Sequence, residues 1–173
     1  VRGDREFLQL LQAAIPNLAT GSRIQASSLW SAAHAADKVI DADPASRWAA
    51  TSAKGQWLQL DLGQPQAIAG VVLNEFQSRI THWHIETSTD GQQWHTVYTA
   101  TKHAGADDTH TRFDLPQAVS ARHVKLVIDA AVDAPSLYEL KLLAPDSSKA
   151  MPLNTGAQAS TSAATLDAHD AKF

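Results

Sequence analysis

Residues 57–65 read WLQLDLGQP, and how that stretch is read decides the fold. Leu58, Leu60 and Leu62 alternate with Trp57, Gln59 and Asp61. A period of two is the pattern of a strand with one face in a core and one in solvent. Gly63-Gln64-Pro65 is then expected to turn the chain. Downstream, Ile68–Leu73 is a nearly continuous apolar run of strand length, so both of its faces should be covered. Thr81, Trp83, Ile85 and Thr87 alternate against His82, His84 and Glu86. Asp90-Gly91 follows as a hairpin signal, and Trp94, Val97 and Tyr98 begin the return strand. Val124, Leu126 and Ile128 alternate again, and Leu140 and Leu142 form a last inward pair. Short strands separated by turn signals predict an all-β antiparallel sandwich or barrel.

The 173 residues suit one domain with some additional sequence. Three zones are visible. Residues 1–16 carry Phe7, Leu8, Leu10, Leu11, Ala14 and Ile15 at helical spacing, with Asp4 and Glu6 near the start, until Pro16 ends the pattern. This predicts one N-terminal α-helix whose apolar face packs on something outside this chain. Residues 17–145 hold the strands. Residues 146–173 are small, polar and aperiodic at first, and read as a linker and the start of a further module. The formal charge of −4 is spread along the chain, which gives no footprint for nucleic acid or an anionic membrane. Cysteine is absent, so disulfides and thiolate chemistry are excluded. The first residue is Val rather than Met, and the chain reads as a fragment.

The stretch KVIDADPASRW (38–48) carries two aspartates one residue apart in a Pro-containing bend. Asp41 and Asp43 could hold backbone amides in an Asx-type turn. With Ser46 and nearby carbonyls they could instead cage a hard cation such as calcium. A glycosidase acid pair fits less well, because those carboxylates stand across a substrate on separate elements. His82 and His84 share one strand face, and without a third ligand nearby they read as its solvent side. No Gly-rich phosphate loop follows a strand, and no GxSxG nucleophile setting occurs. Trp30, in a loop, could be a stacking platform for a sugar.

Six segments, NLATGSRIQASS (17–28), KVIDADPASRW (38–48), GQWLQLDLG (55–63), STDGQQWHTV (88–97), ARHVKLVI (121–128) and SLYELKLL (136–143), occur in one order. In that order they resemble the coagulation factor 5/8 type C, or discoidin-like, domain, which shares its fold with carbohydrate-binding module family 32. The resemblance implies a jelly-roll β-sandwich of galactose-binding-domain-like type, with loops gathered at one end. A helix leading into NLATG, as in REFLQLLQAAIPNLATG, together with NEFQSRI and PSLYELKLL, also resembles the C-terminal module of bacterial α-L-fucosidases of glycoside hydrolase family 29. There the preceding helix closes a catalytic (β/α)-barrel. The catalytic carboxylates of that family lie in the barrel, so the resemblance carries no catalytic residue onto this chain.

The same resemblance implies a structural calcium. Its ligands would be the Asp41 carboxylate, the Ser46 hydroxyl, main-chain oxygens of Lys38 and Asp43, and Glu139 beside the Tyr138 carbonyl. Ala42 stands where a glycine is commoner, which would adjust the loop. For sugar recognition the implied candidates are Trp30 and His34 in the first long loop, and Glu75, Gln77 and Arg79 before the THWHIE strand. The expectation is therefore a non-catalytic module of a secreted or periplasmic glycosidase, an α-L-fucosidase first, that braces the barrel and holds glycan. The alternative is a free-standing lectin or adhesion module.

Overall fold

Gln56–Glu75 forms a single strand of 20 residues, so the chain does not reverse at Gly63-Gln64-Pro65. In the computed structural model, which describes residues 16–101 and 110–145, that segment stays extended. Gly63 takes φ 85°, and the pairing register shifts between Asp61 and Gln66. The predicted turn is therefore a bulge. Residues 62–65 of β3 stand against Arg122 alone on β6, so the additional residues bend the strand without ending it, and a left-handed φ favours glycine at that bend.

Seven strands are present among the described residues: β1 (Arg23–Ala26), β2 (Trp48–Ala49), β3 (Gln56–Glu75), β4 (Ile80–Ser88), β5 (His95–Thr101), β6 (His110–Ala131) and β7 (Ser136–Leu143). Every strand pairing is antiparallel. The order is β2-β7-β3-β6-β4-β5, with β1 on β3. The long strands β3 and β6 pair along most of their length. Before the bulge β3 takes β1 as its other neighbour; after Gly70 it takes β7. The sheet thus passes from one half to the other through β3 and β6, and the two halves close on one core. Leu58, Leu60, Leu126 and Ile85 come from the first half; Val71, Leu73, Leu140 and Leu142 come from the second. Each fully buried leucine stabilises by about 2 kcal/mol relative to exposure.

The doubly covered run behaves as its composition demands. Val71 and Leu73 enter the main core, while Val72 is buried with Leu143 in a separate cluster. The architecture is mainly antiparallel sheet with little helix, in keeping with a discoidin-like β-sandwich. Two 3-10 turns, Ala32–His34 and Ala36–Val39, lie in the first loop. The helix expected over residues 1–16 and the linker over 146–173 lie outside the described residues, apart from Pro16.

Entry to the domain is fixed by a side chain. Asn17 Nδ2 donates to the Leu140 carbonyl at 3.1 Å, and its Oδ1 accepts from the amides of Ala19 and Leu142, both at 2.9 Å. Trp48 is fully buried and donates through Nε1 to the Ser28 carbonyl at 2.9 Å, joining the first loop to the core.

Candidate functional site

The acidic bend lies between Val39 and Trp48, both buried, while Asp41 to Ala45 are exposed. Its geometry is that of the Asx-type reading of the sequence. The Asp43 amide donates to Asp41 Oδ1 at 3.0 Å, and the Ala45 amide donates to Asp43 Oδ1 at 2.9 Å, two successive Asx turns. Ala42 between them takes φ 62°, a left-handed conformation held against its Cβ. The same folding gathers oxygens. Ser46 Oγ donates to Asp41 Oδ2 at 2.6 Å and lies 3.2 Å from the Asp43 carbonyl and 3.5 Å from that of Lys38.

Glu139 approaches this group from β7. Burial pushes its carboxyl above the usual range, the neighbouring Lys141 pulls it back, and the charge of Asp41 adds to the rise. An early loop and the last strand therefore feel each other electrostatically. Among the described residues no three His, Asp or Glu side chains come together as a metal-binding group. A cation at the bend would rest on two carboxylates, Asp41 and Glu139, completed by hydroxyl and carbonyl oxygens. That all-oxygen set fits a hard cation such as calcium. Tyr138 is half-buried, and its ring meets Phe76 edge-on at 6.0 Å.

The loops flanking β2 and β7 meet at one end of the molecule. The Trp30 amide donates to the Ala49 carbonyl, the Ala50 amide to that of Pro135, the Phe76 amide to that of Ser136, and the Val132 amide to that of Arg79. Here the candidate sugar contacts separate into two groups. Trp30 is 64% exposed and its ring sits 4.8 Å from that of His34, whose Nδ1 is 2.8 Å from Ser31 Oγ. The second group is the connection before β4. Gln77 and Ser78 both take positive φ, 62° and 46°. Non-glycine residues there cost about 1 kcal/mol or more each and persist only where neighbours enforce them. Glu75 is one enforcer: it is buried, and its Oε1 accepts from the Ile80 amide at 3.0 Å. Arg79 is another, donating to the Ala134 carbonyl and to Gln77 Oε1, each at 2.8 Å.

Arg47 and Phe76 also belong to this end and are not among the predicted site residues. Arg47 places its guanidinium 3.8 Å from the centre of the Phe76 ring and donates to Ser136 Oγ at 2.7 Å. Arg79 lies over the same ring at 5.1 Å. The available signal was Arg47 within DPASRW, a cation beside a buried tryptophan; its partner Phe76 is set by tertiary contact. On the other sheet half, His82 is exposed and His84 half-buried, as the strand alternation implies. His84 stands between two carboxylates, with Nδ1 2.7 Å from Asp129 Oδ2 and Nε2 2.9 Å from Glu86 Oε2. Burial lowers its pKa, but hydrogen bonds to Asp129 and Glu86 outweigh that and hold it above the ordinary value.

A sequence profile of the F5/8 type C domain matches residues 23–140. Chitosan-binding module 2 of a chitosanase/glucanase from Paenibacillus sp. IK-5, solved in complex with chitotriose, is 30% identical with a TM-score of 0.67. The match covers 73% of this chain and 99% of that one. A putative alpha-L-fucosidase from Bacteroides thetaiotaomicron is 20% identical with a TM-score of 0.63, over 75% of this chain and 28% of that one, and shares the fold. The polysaccharide lyase 8 family protein HylA of Enterococcus faecalis is 32% identical over 89 residues. That stretch is 51% of this chain and 6% of the lyase, so the chain spans a small part of this relative's length. The fold is that of carbohydrate-binding modules.

Proposed function

The chain belongs to the F5/8 type C domain family, and from that premise we propose that it is a non-catalytic glycan-binding module of a secreted or periplasmic glycosidase, an α-L-fucosidase first. The observation that carries glycan binding is Trp30, 64% exposed at the loop end with His34 beside it. A large apolar ring left in water is expensive to keep without a partner, and a sugar's C–H face suits it. His34, Gln77 and Arg79 supply polar groups around that end. Glu75 acts from within, by shaping the connection that presents Gln77 and Arg79. The resemblance of REFLQLLQAAIPNLATG to a barrel-closing helix supports the fucosidase parent, whose barrel this module would brace.

Calcium at the acidic bend completes the reading. Asp41, Ser46 and Glu139 would hold it through side chains, and Lys38, Asp43 and Tyr138 through carbonyls. Its chemistry there is structural: one divalent charge between two carboxylates ties the bend to β7, beside the loops that present Trp30 and Arg79.

Calorimetric titration of the chain and of W30A against a panel of neutral oligosaccharides, including chito- and fuco-oligosaccharides, tests the proposal. Binding by the parent and its loss in W30A, with both melting alike, is the expected result. A folded chain that binds no member of the panel, or a W30A variant that binds equally well, overturns it.

A further inference from the structure

At the bulge of β3, away from the loop end, a cleft of about 340 Å³ opens between Gly21-Ser22-Arg23, Asp61-Leu62-Gly63 and Arg122. Its electrostatics are unusual for a chain of net charge −4. Arg122 grips Asp61 with two nitrogens, Nε to Oδ1 at 2.8 Å and Nη2 to Oδ2 at 3.2 Å. That bond, with the Gly63 amide on Oδ1 at 2.9 Å, holds the Asp61 carboxyl well below the usual carboxylate range. The negative charge of the cleft is thus committed to Arg122.

Arg23 faces the same space. It is exposed on β1, opposite Asp61 in the strand register, and no carboxylate among the described residues pairs with it. The cleft therefore carries an excess of one positive charge. Its mouth is open, because a Cβ built at Gly21 or Gly63 would meet nothing within 4 Å. Donor groups continue along the sheet. The register sets Gln25 opposite Gln59 and Gln59 opposite Lys125, one step of two residues from Arg23, Asp61 and His123. Residues two apart on a strand share a face about 7 Å apart. The Lys125 ammonium lies 4.5 Å from the ring centre of Trp94 and 5.8 Å from that of Trp57.

We infer that this cleft is a second glycan subsite, separate from the loop end, and that it takes the carboxylate of an acidic sugar. The inference rests on the reading of the fold as a glycan-binding module. Arg23 presents a planar fork of donors that matches a carboxylate in two bonds. Ser22 supplies a hydroxyl, and the amides of Gln25 and Gln59 meet the hydroxyls of the next sugar. Lys125 stands where a second carboxylate would follow. The ligand class is a short oligo-uronate; a sulfate ester offers the same charge from a different source.

The test is titration of the chain and of R23Q with a galacturonate trimer, its methyl ester, a sulfated neutral trimer and the best neutral ligand of the loop end. Binding of the uronate, about tenfold weaker binding by R23Q at an unchanged melting temperature, and weak binding of the ester support the subsite. Equal loss for uronate and sulfated trimer supports it with anion charge as the recognised feature. W30A separates the two sites: it should lose the neutral ligand and keep the uronate. No uronate binding, equal affinity for the ester, or an R23Q variant indistinguishable from the parent overturns the subsite and leaves the loop-end reading standing.

Discussion

Glu139→Gln should move stability in opposite directions with and without calcium. The Glu139 carboxyl is raised by burial and by the charge of Asp41, against the pull of Lys141. A pKa raised in the folded state contributes stability that is complete below the unfolded value and lost as pH rises through the folded value. The contribution therefore falls away with rising pH, as the carboxylate takes up its charge. Glutamine carries no charge, so chelated E139Q should melt at or above the chelated parent at pH 7, and the difference should close toward pH 4. Calcium reverses the order. At one hundred times its Kd a ligand stabilises by about 2.7 kcal/mol, or ~10 °C in a domain of this size. Removing one of two carboxylates should weaken the site about a hundredfold, leaving roughly 0.4 kcal/mol at the same calcium concentration. Differential scanning fluorimetry of both proteins, with chelator and with calcium, at pH 7 and pH 5, reads every combination. Protons compete for Glu139, so the parent's calcium increment should shrink at pH 5. A parent that melts identically with chelator and calcium refutes the reasoning. So does an E139Q variant that keeps the full increment.

Three further perturbations follow from the geometry. N17A removes three hydrogen bonds at the entry to the domain and leaves the Leu140 carbonyl and Leu142 amide to find new partners; urea unfolding should show a loss of about 2–3 kcal/mol with an unchanged m-value. W48F keeps most of the buried volume but gives up the bond to the Ser28 carbonyl and leaves a small void, so a loss of about 2–3 kcal/mol is expected by the same assay. His84 is raised by Asp129 and Glu86, so its contribution is complete below the unfolded pKa and disappears as pH rises through the folded one. In urea unfolding H84Q should therefore cost more stability at pH 5.5 than at pH 8.5, by about 1 kcal/mol after allowance for solvent screening; an equal effect at both pH values would show that the carboxylates do not hold it as an imidazolium.

Alternation by itself was enough to place the strands around Leu58, Trp83, Val124 and Leu140, because a side-chain period of two leaves few alternatives for those residues. The same local information misread Gly63-Gln64-Pro65. Glycine and proline announce a change of direction, but whether a strand ends or merely bends depends on partners far away, here β6 on one side and β1 then β7 on the other. The acidic bend was legible as oxygen-rich, since Asp41, Asp43 and Ser46 lie within one loop. The influence of Asp41 on Glu139 was not legible in the spacing, because residues far apart in sequence come under each other's charge only when β7 closes the sheet. Glu75 was legible as polar but not as buried, and Arg47 not at all as the cap on Phe76. The sequence alone thus determined which residues face inward, because that preference is local and periodic. The tertiary structure decided which exposed groups share a site, including Arg23 with Asp61 and Arg122, because proximity between distant strands is a property of their register and of nothing within either strand.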